Sequence, residues 1–234
     1  VGQPVIFQAF FLALGQIGDP RFRRVLLLGI GLTFALLVAA YAGFLVLIEV
    51  FVGNEATLPV LGEVHWLNDL LSLSSFIFMM VLSVFLMIPV ASAITSMFLD
   101  EVAQAVEDRH YPSLPPVPRV PFWDALRDTV NFLGVLIGAN LLAFILYALF
   151  PPASLFIFWA LNGFLLGREY FTLAAMRRLG RQRAKELRAR HAGTIWAAGT
   201  LMAIPLSVPL LNLVIPILGA ATFTHIFHRV AARR

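Results

Sequence analysis

The chain has 234 residues, of which 60% are hydrophobic and 13% charged, against ~25% charge in an ordinary soluble domain. Its formal net charge is +4 and it contains no cysteine, which excludes disulfides, thiolate metal sites and cysteine nucleophiles. With a mean hydropathy of +0.87, a fold of this length cannot hide its apolar surface from water, so the composition predicts an all-α integral membrane protein. The basic residues sit in short blocks beside apolar runs, as orientation signals do, and no nucleic-acid partner is expected. The start at Val1 is expected to reflect loss of an initiator methionine. No cleavable signal peptide is expected, because the first eighteen residues lack a basic leader.

Residues 1–18 read as an interfacial helix, with Phe7, Phe10, Phe11 and Leu14 at helical spacing opposite Gln3 and Gln8. A frayed terminus is the plainer alternative. Asp19 and Pro20 suit the N-cap and first position of the next helix, and Arg21, Arg23 and Arg24 follow at once. From Val25 to Ile48 there is no charge, enough to cross ~30 Å of hydrocarbon. The first long transmembrane helix is predicted over 19–52.

The loop from Gly53 to Asp69 carries Glu55, Glu63 and Asp69 but no Lys or Arg. A second long transmembrane helix is predicted over 67–110. Its uncharged run from Leu70 to Leu99 must tilt or protrude, Pro89 is a candidate kink, and the turns from Asp100 to Arg109 leave the membrane. Pro112, Pro115, Pro116, Pro118 and Pro121 then make a stiff extended linker.

Two proline-broken hairpins of shorter helices are predicted over 129–167 and 192–228. Pro151-Pro152 marks the tip of the first, and Pro205, Pro209 and Pro216 interrupt the second. The first carries Gly134-x-x-x-Gly138 and Gly163-x-x-x-Gly167, spacings that permit close helix contact in lipid. Between the hairpins, 168–191 reads as a basic cytoplasmic helix, with Arg177, Arg178, Arg181, Arg183, Lys185, Arg188 and Arg190 against Glu169 and Glu186. The positive-inside rule then places both termini, and both ends of each hairpin, in the cytoplasm. Arms that cross fully and arms that dip part way both fit the lengths. Broken helices at depth must pack in protein or line water, as in transporters.

No P-loop, HExxH, EF-hand loop or GxSxG elbow is present, and no catalytic constellation or cofactor motif stands out, so the chain is not expected to be an enzyme. His225 and His228 lie three apart, but a third ligand is missing and no metal site is expected. Glu101, Glu107 and Asp108 read as solvated or salt-bridged carboxylates. The best candidate site is Asp19-Pro20-Arg21-Phe22-Arg23-Arg24. A helix start with orphan N–H groups, the positive end of the dipole and three guanidinium groups suits a tetrahedral oxyanion. The same arginines equally suit anchors near lipid phosphates. Asp19, as the cap, competes for the same N–H groups.

Gly18-Asp19-Pro20-Arg21-Phe22-Arg23-Arg24 before a long apolar span resembles the start of the CysZ family of bacterial sulfate permeases. Val106-Glu107-Asp108-Arg109 before a Pro-rich linker, and the run Ala203-Ile204-Pro205 through Pro209 to Pro216 and Gly219-Ala220-Ala221-Thr222, are similar to that family's later segments. The resemblance covers nearly the whole chain and extends to a eukaryotic relative, the etoposide-induced endoplasmic-reticulum membrane protein. It implies two long transmembrane helices, two pairs of partly penetrating helices, homo-oligomers, and sulfate passage across the bacterial inner membrane for cysteine biosynthesis. It puts the sulfate-binding motif on Arg21, Phe22, Arg23 and Arg24, with Arg21 where the family has a small residue, and a polar network near the pathway on Glu107 and Arg109.

The expected function is therefore a sulfate permease or ion channel, with sulfite and other oxyanions as further candidates; a non-transporting membrane scaffold is the alternative. The long spans hold no ionisable residue, which favours channel-like passage over proton coupling. Ser72, Ser74, Ser75, Ser83, Ser92, Thr95 and Ser96 are either donors along a path or packing contacts.

Overall fold

The computed structural model describes residues 3–52, 57–58, 62–63, 77, 81, 98–117 and 122–232. Among them are seven α-helices: α1 (Gln3–Gly15), α2 (Pro20–Val52), α3 (Leu99–His110), α4 (Phe122–Leu149), α5 (Ser154–Arg190), α6 (Ala192–Ala203) and α7 (Ile215–Ala231). A two-residue antiparallel ladder, β1 (Thr57–Leu58) with β2 (Gly62–Glu63), follows α2. The remaining regular structure among the described residues is helical. Most of the second long span predicted over 67–110, with its serines and Pro89, lies outside the described residues.

The core is built around α7. Every residue from Ile215 to Phe227 is buried, and α1, α3 and α5 pack against the helix. Gly219 leaves room for the Tyr170 ring against α7. A Cβ there would stand 2.3 Å from a ring carbon of Tyr170 on α5, so no larger residue fits without displacing the ring.

The N-terminal helix meets α7 through Val5, Ile6, Ala9 and Ala13, all buried. Phe7, Phe11 and Leu14 face outward. The bulky stripe read from the sequence is thus split, with Phe10 half-buried against the core and the others outward, and the alanine stripe makes the contact. The two ends of the chain meet here: Arg229 donates from Nη1 to the Val5 carbonyl at 3.3 Å and to Gln8 Oε1 at 2.9 Å.

Asp19 Oδ1 accepts the Arg21 N–H at 2.9 Å and starts α2, with Pro20 as its first residue. Phe22, Val25, Gly29 and Thr33 form one buried stripe along its first turns, as helical spacing requires. Beyond them the helix leaves the bundle, exposing Phe34, Leu36 and Val38. Residues Pro20–Gly43 are long and apolar enough to cross a membrane, and only 17% of their most apolar stretch is buried.

The prolines at 151 and 152 form a 3₁₀ turn between α4 and α5. The basic segment is not one helix, as the sequence reading had it, but is divided at Gly180. It continues from the second hairpin arm within the 37 residues assigned to α5, interrupted at Gly180, whose φ of 72° and ψ of 173° lie outside helical space. Glycine reaches that φ at no steric cost. The chain reverses there: Arg188 Nη1 reaches Thr172 Oγ1 at 2.8 Å, whereas sixteen residues of straight helix would separate them by about 24 Å.

The most extensive helix contact joins α5 and α6. Gly163 and Gly167 lie at its centre, opposite Gly199: a Cβ on Gly199 would fall 2.0 Å from the Gly163 carbonyl oxygen. The small-residue spacing thus serves the contact with α6. Gly134 and Gly138, in contrast, face open space. The link from α6 to α7 consists of two 3₁₀ turns, Ile204–Ser207 and Pro209–Leu213, which Trp159 on α5 holds by donating from Nε1 to Ser207 Oγ at 3.0 Å.

Candidate functional site

Chain order brings the proposed oxyanion motif to the start of α2, directly beside α3. Pro20 has no N–H. That of Arg21 is held by Asp19 Oδ1, and that of Arg23 closes the first turn on the Asp19 carbonyl at 3.1 Å. The helix start therefore has little backbone to offer an anion, and any attraction rests on the guanidinium groups.

These divide into two kinds. Arg21 is committed to Asp108 on α3, donating from Nη1 to Oδ2 at 2.5 Å. The Arg21 bond and one from Gln104 hold the Asp108 carboxyl below its ordinary range. Arg23 and Arg24 are exposed and, with Pro20, Leu27 and Leu28, line an open groove of about 450 Å³. Phe22 sends its ring into the core, where it is 1% exposed, so its side chain cannot touch an anion in that groove. Asp19 is braced from behind by Gln16, whose Nε2 donates to Asp19 Oδ2 at 3.0 Å and to the Ala105 carbonyl at 3.1 Å.

The second candidate, Glu107, lies in the core at 2% exposure. It is placed there by the apolar stripe of α3, since Ala103, Val106 and Glu107 share the buried face. Arg178 grips its carboxylate with two bonds, Nε to Oε1 at 3.0 Å and Nη2 to Oε2 at 2.7 Å. His228 Nε2 meets Oε1 at 3.0 Å, and Arg177 Nη1 lies 3.5 Å from Oε2. Arg177 also reaches Asp100 and donates to Gln104 Oε1 at 2.7 Å. Burial alone would raise the Glu107 carboxyl, but His228, Arg178 and Arg177 outweigh it and lower it to about 2. The group is a carboxylate at any ordinary pH.

Arg109, the expected partner of Glu107, is exposed on α3. Residues two apart point to different sides of a helix, and the structure does not bring the pair together. Nor do His225 and His228 converge on a common point. His225 shares a 3.0 Å hydrogen bond through Nδ1 with the Tyr111 hydroxyl, while His228 serves Glu107 and stacks on the Tyr111 ring at 4.2 Å. Burial, then His110, Arg229 and His228, lower His225 to about 3, so it is neutral.

The sequence reading missed Arg177, Arg178 and His228 as partners of Glu107. Arg177 and Arg178 looked like part of a topological charge block. The available signal was periodicity: Leu99, Ala103, Val106 and Glu107 fall on one face, so the carboxylate had to be buried and to find a cation.

None of the curated proteins compared with the chain matches it. The family model described as Sulfate transporter CysZ/Etoposide-induced protein 2.4 matches residues 9–216, which run from α1 to the start of α7 and include the arginine motif and all of the Glu107 cluster except His228. With most of its length matched, the chain belongs to the Sulfate transporter CysZ/Etoposide-induced protein 2.4 family.

Proposed function

We propose that this protein is a sulfate permease of the bacterial inner membrane, passing sulfate into the cytoplasm for cysteine biosynthesis by a channel-like route and working as a homo-oligomer. The observation that carries this reading is the family match over residues 9–216. The apolar face of α2 supports a bilayer location. The contact of Arg229 with α1 supports both termini on one side. So does the gathering of Arg21, Arg177 and Arg178 around α3.

In this reading Arg23 and Arg24 hold sulfate at the cytoplasmic end of α2. Two exposed guanidinium groups present forked donors to a tetrahedral anion, and Asp108 keeps Arg21 from adding a third. Glu107 does not contact sulfate. It ties α3 to α5 and α7, and so fixes the platform on which the α2 start rests. Arg109 is left as an exposed charge beside it.

The test is uptake of labelled sulfate by liposomes containing the purified protein. Uptake above empty vesicles, lost in the Arg23→Ala, Arg24→Ala double variant, is the expected result. No uptake at any gradient from protein that retains its melting transition would sink the permease reading and favour a membrane scaffold.

A further inference from the structure

Between α4, α5 and α6 lies a groove of about 630 Å³, within the range of small-ligand sites (~300–1,000 Å³). Its walls are mostly apolar, with Leu142, Leu161, Phe164 and Trp196 among the lining residues, and Arg168 and Arg188 also line it. The reversal at Gly180 brings Arg188 back beside the stretch of α5 that carries Arg168. Burial, then the Arg168 charge, lower the Arg188 guanidinium.

Among the described residues, neither arginine forms an ion pair with a carboxylate. Arg188 has the neutral Thr172 hydroxyl, and Glu169, next to Arg168 in sequence, bonds to neither. Two neighbouring cations against apolar walls are unfavourable unless an anion joins them.

We infer that this groove binds one anionic phospholipid, its phosphate between Arg168 and Arg188 and an acyl chain along the apolar walls. Charge complementarity selects the headgroup, because paired guanidinium groups match phosphate oxygens in forked geometry. The apolar length selects a lipid over a free anion. From Arg168 to Leu161 the groove runs about 10 Å along α5, at ~1.5 Å per residue, and a free phosphate would leave all of it empty. Gly138 and Gly193 line it with no atom within 4 Å of an added Cβ, so there is room for a chain. Trp196 borders it with Nε1 donating to the Ala160 carbonyl at 2.8 Å, the half-polar placement typical of tryptophan at a membrane interface. The inference rests on the bilayer location proposed above, but not on sulfate passage.

The experiment uses the full chain, delipidated in a neutral detergent and titrated with phosphatidylglycerol, phosphatidylcholine or glycerol phosphate, with bound molecules counted by native mass spectrometry. The expected result is one phosphatidylglycerol per chain, retained roughly tenfold better than phosphatidylcholine, since each cation near a lipid surface adds about a fewfold in affinity. Arg168→Gln, Arg188→Gln should abolish the headgroup preference. Arg168→Gln alone should reduce it, and Arg168 makes no hydrogen bond among the described residues that the fold would lose. Gly138→Leu, whose Cβ would meet no atom within 4 Å and whose side chain takes up space in the groove, should weaken both lipids.

Equal retention of the two lipids by the unmodified protein would overturn the inference. So would an undiminished preference in the double arginine variant. Binding of glycerol phosphate as tight as that of phosphatidylglycerol, and untouched by Gly138→Leu, would assign the arginines to a free anion and overturn it as well. Binding is read without flux, so a failure of sulfate transport leaves this test standing.

Discussion

Arg178 holds Glu107 in a two-point fork, Nε to Oε1 at 3.0 Å and Nη2 to Oε2 at 2.7 Å, and so joins α5 to α3 across 71 residues of chain. The same carboxylate accepts from His228 on α7. Three helices that share no turn meet on two oxygen atoms. Since Arg178 Nη1 also donates to the Pro115 carbonyl at 2.5 Å, the guanidinium further ties down the start of the linker after α3.

Neutralising Glu107 should therefore cost far more than neutralising an acid outside the cluster. Glu107→Gln leaves Arg178 without its counter-charge and Arg177 with only the exposed Asp100, and removing one partner of a buried pair costs roughly 3–5 kcal/mol. Glu101→Gln should change stability by less than about 0.5 kcal/mol. Arg178→Lys keeps the charge but loses the fork, so an intermediate loss of about 2 kcal/mol is expected. Chemical unfolding in detergent compares the three, and equal midpoints for Glu107→Gln and Glu101→Gln would refute the role given to this cluster.

How much of this was legible in the sequence depends on the interaction involved. Helix starts were readable at Asp19-Pro20 and helix breaks at Pro151-Pro152, because capping and the missing proline N–H act within one turn. The small-residue spacing at Gly163 and Gly167 was readable as a contact, but its partner was not, since Gly199 lies on another helix. The reversal at Gly180 was missed because an isolated glycine inside a helical pattern does not announce a positive φ. The pairing of Glu107 with Arg178 rather than Arg109 was hidden for the same reason: sequence nearness suggested a partner that helical geometry turns away.

His225 sets an acid limit on stability. Buried at a value of about 3 against about 6.5 when unfolded, it leaves the native state short of a proton that the unfolded chain takes up between those values. Its contribution is complete above about pH 6.5 and is lost as pH falls toward 3. Glu107, lowered to about 2 from about 4.5, adds a loss of the same sign at lower pH. Glu169, raised by burial to about 7, acts in the opposite sense and favours the native state as pH falls from 7. The His225 contribution is isolated by comparing the native protein with His225→Phe, whose loss of the Tyr111 hydrogen bond is independent of pH in this range and so leaves the slope readable. Between pH 7 and 5 the native protein should lose about 2 kcal/mol relative to the variant. Parallel pH profiles would exclude the effect.

Asp108 is expected to restrain anion binding at the start of α2. It pairs with Arg21 and sets a negative charge near the groove of Arg23 and Arg24. Asp108→Asn frees Arg21 and removes that charge, so sulfate affinity should rise several-fold at low salt and the gain should fade as the Debye length shrinks below ~10 Å. Arg21→Ala should leave binding within about twofold, because Arg21 is already engaged, whereas Arg23→Ala, Arg24→Ala should abolish it. Calorimetric titration of the detergent-solubilised protein with sulfate separates these cases, and a loss in Arg21→Ala as large as in the double variant would mean that Arg21 leaves Asp108 to bind the anion.

The last prediction concerns the two glycine pairs, which have the same spacing but different surroundings. A Cβ on Gly199 would stand 2.0 Å from the Gly163 carbonyl oxygen and 2.9 Å from the Gly167 amide nitrogen. Those are backbone atoms and cannot swing aside, so Gly199→Ala must push α6 away from α5 along their whole contact. Overpacking of this kind costs about 1–3 kcal/mol or more. Gly134 on α4 meets nothing within 4 Å, and alanine there gains about 1 kcal/mol of helix propensity where the helix is exposed. Gly134→Ala should thus be neutral or stabilising, and Gly199→Ala strongly destabilising, in thermal unfolding of the detergent-solubilised protein. The Gly199 change should also shift the fluorescence of Trp196, whose indole bond to the Ala160 carbonyl spans the same two helices. If Gly134→Ala proved the more damaging of the two, α4 would have to pack through that glycine against a surface of another copy of the chain, and the open face would be an assembly contact.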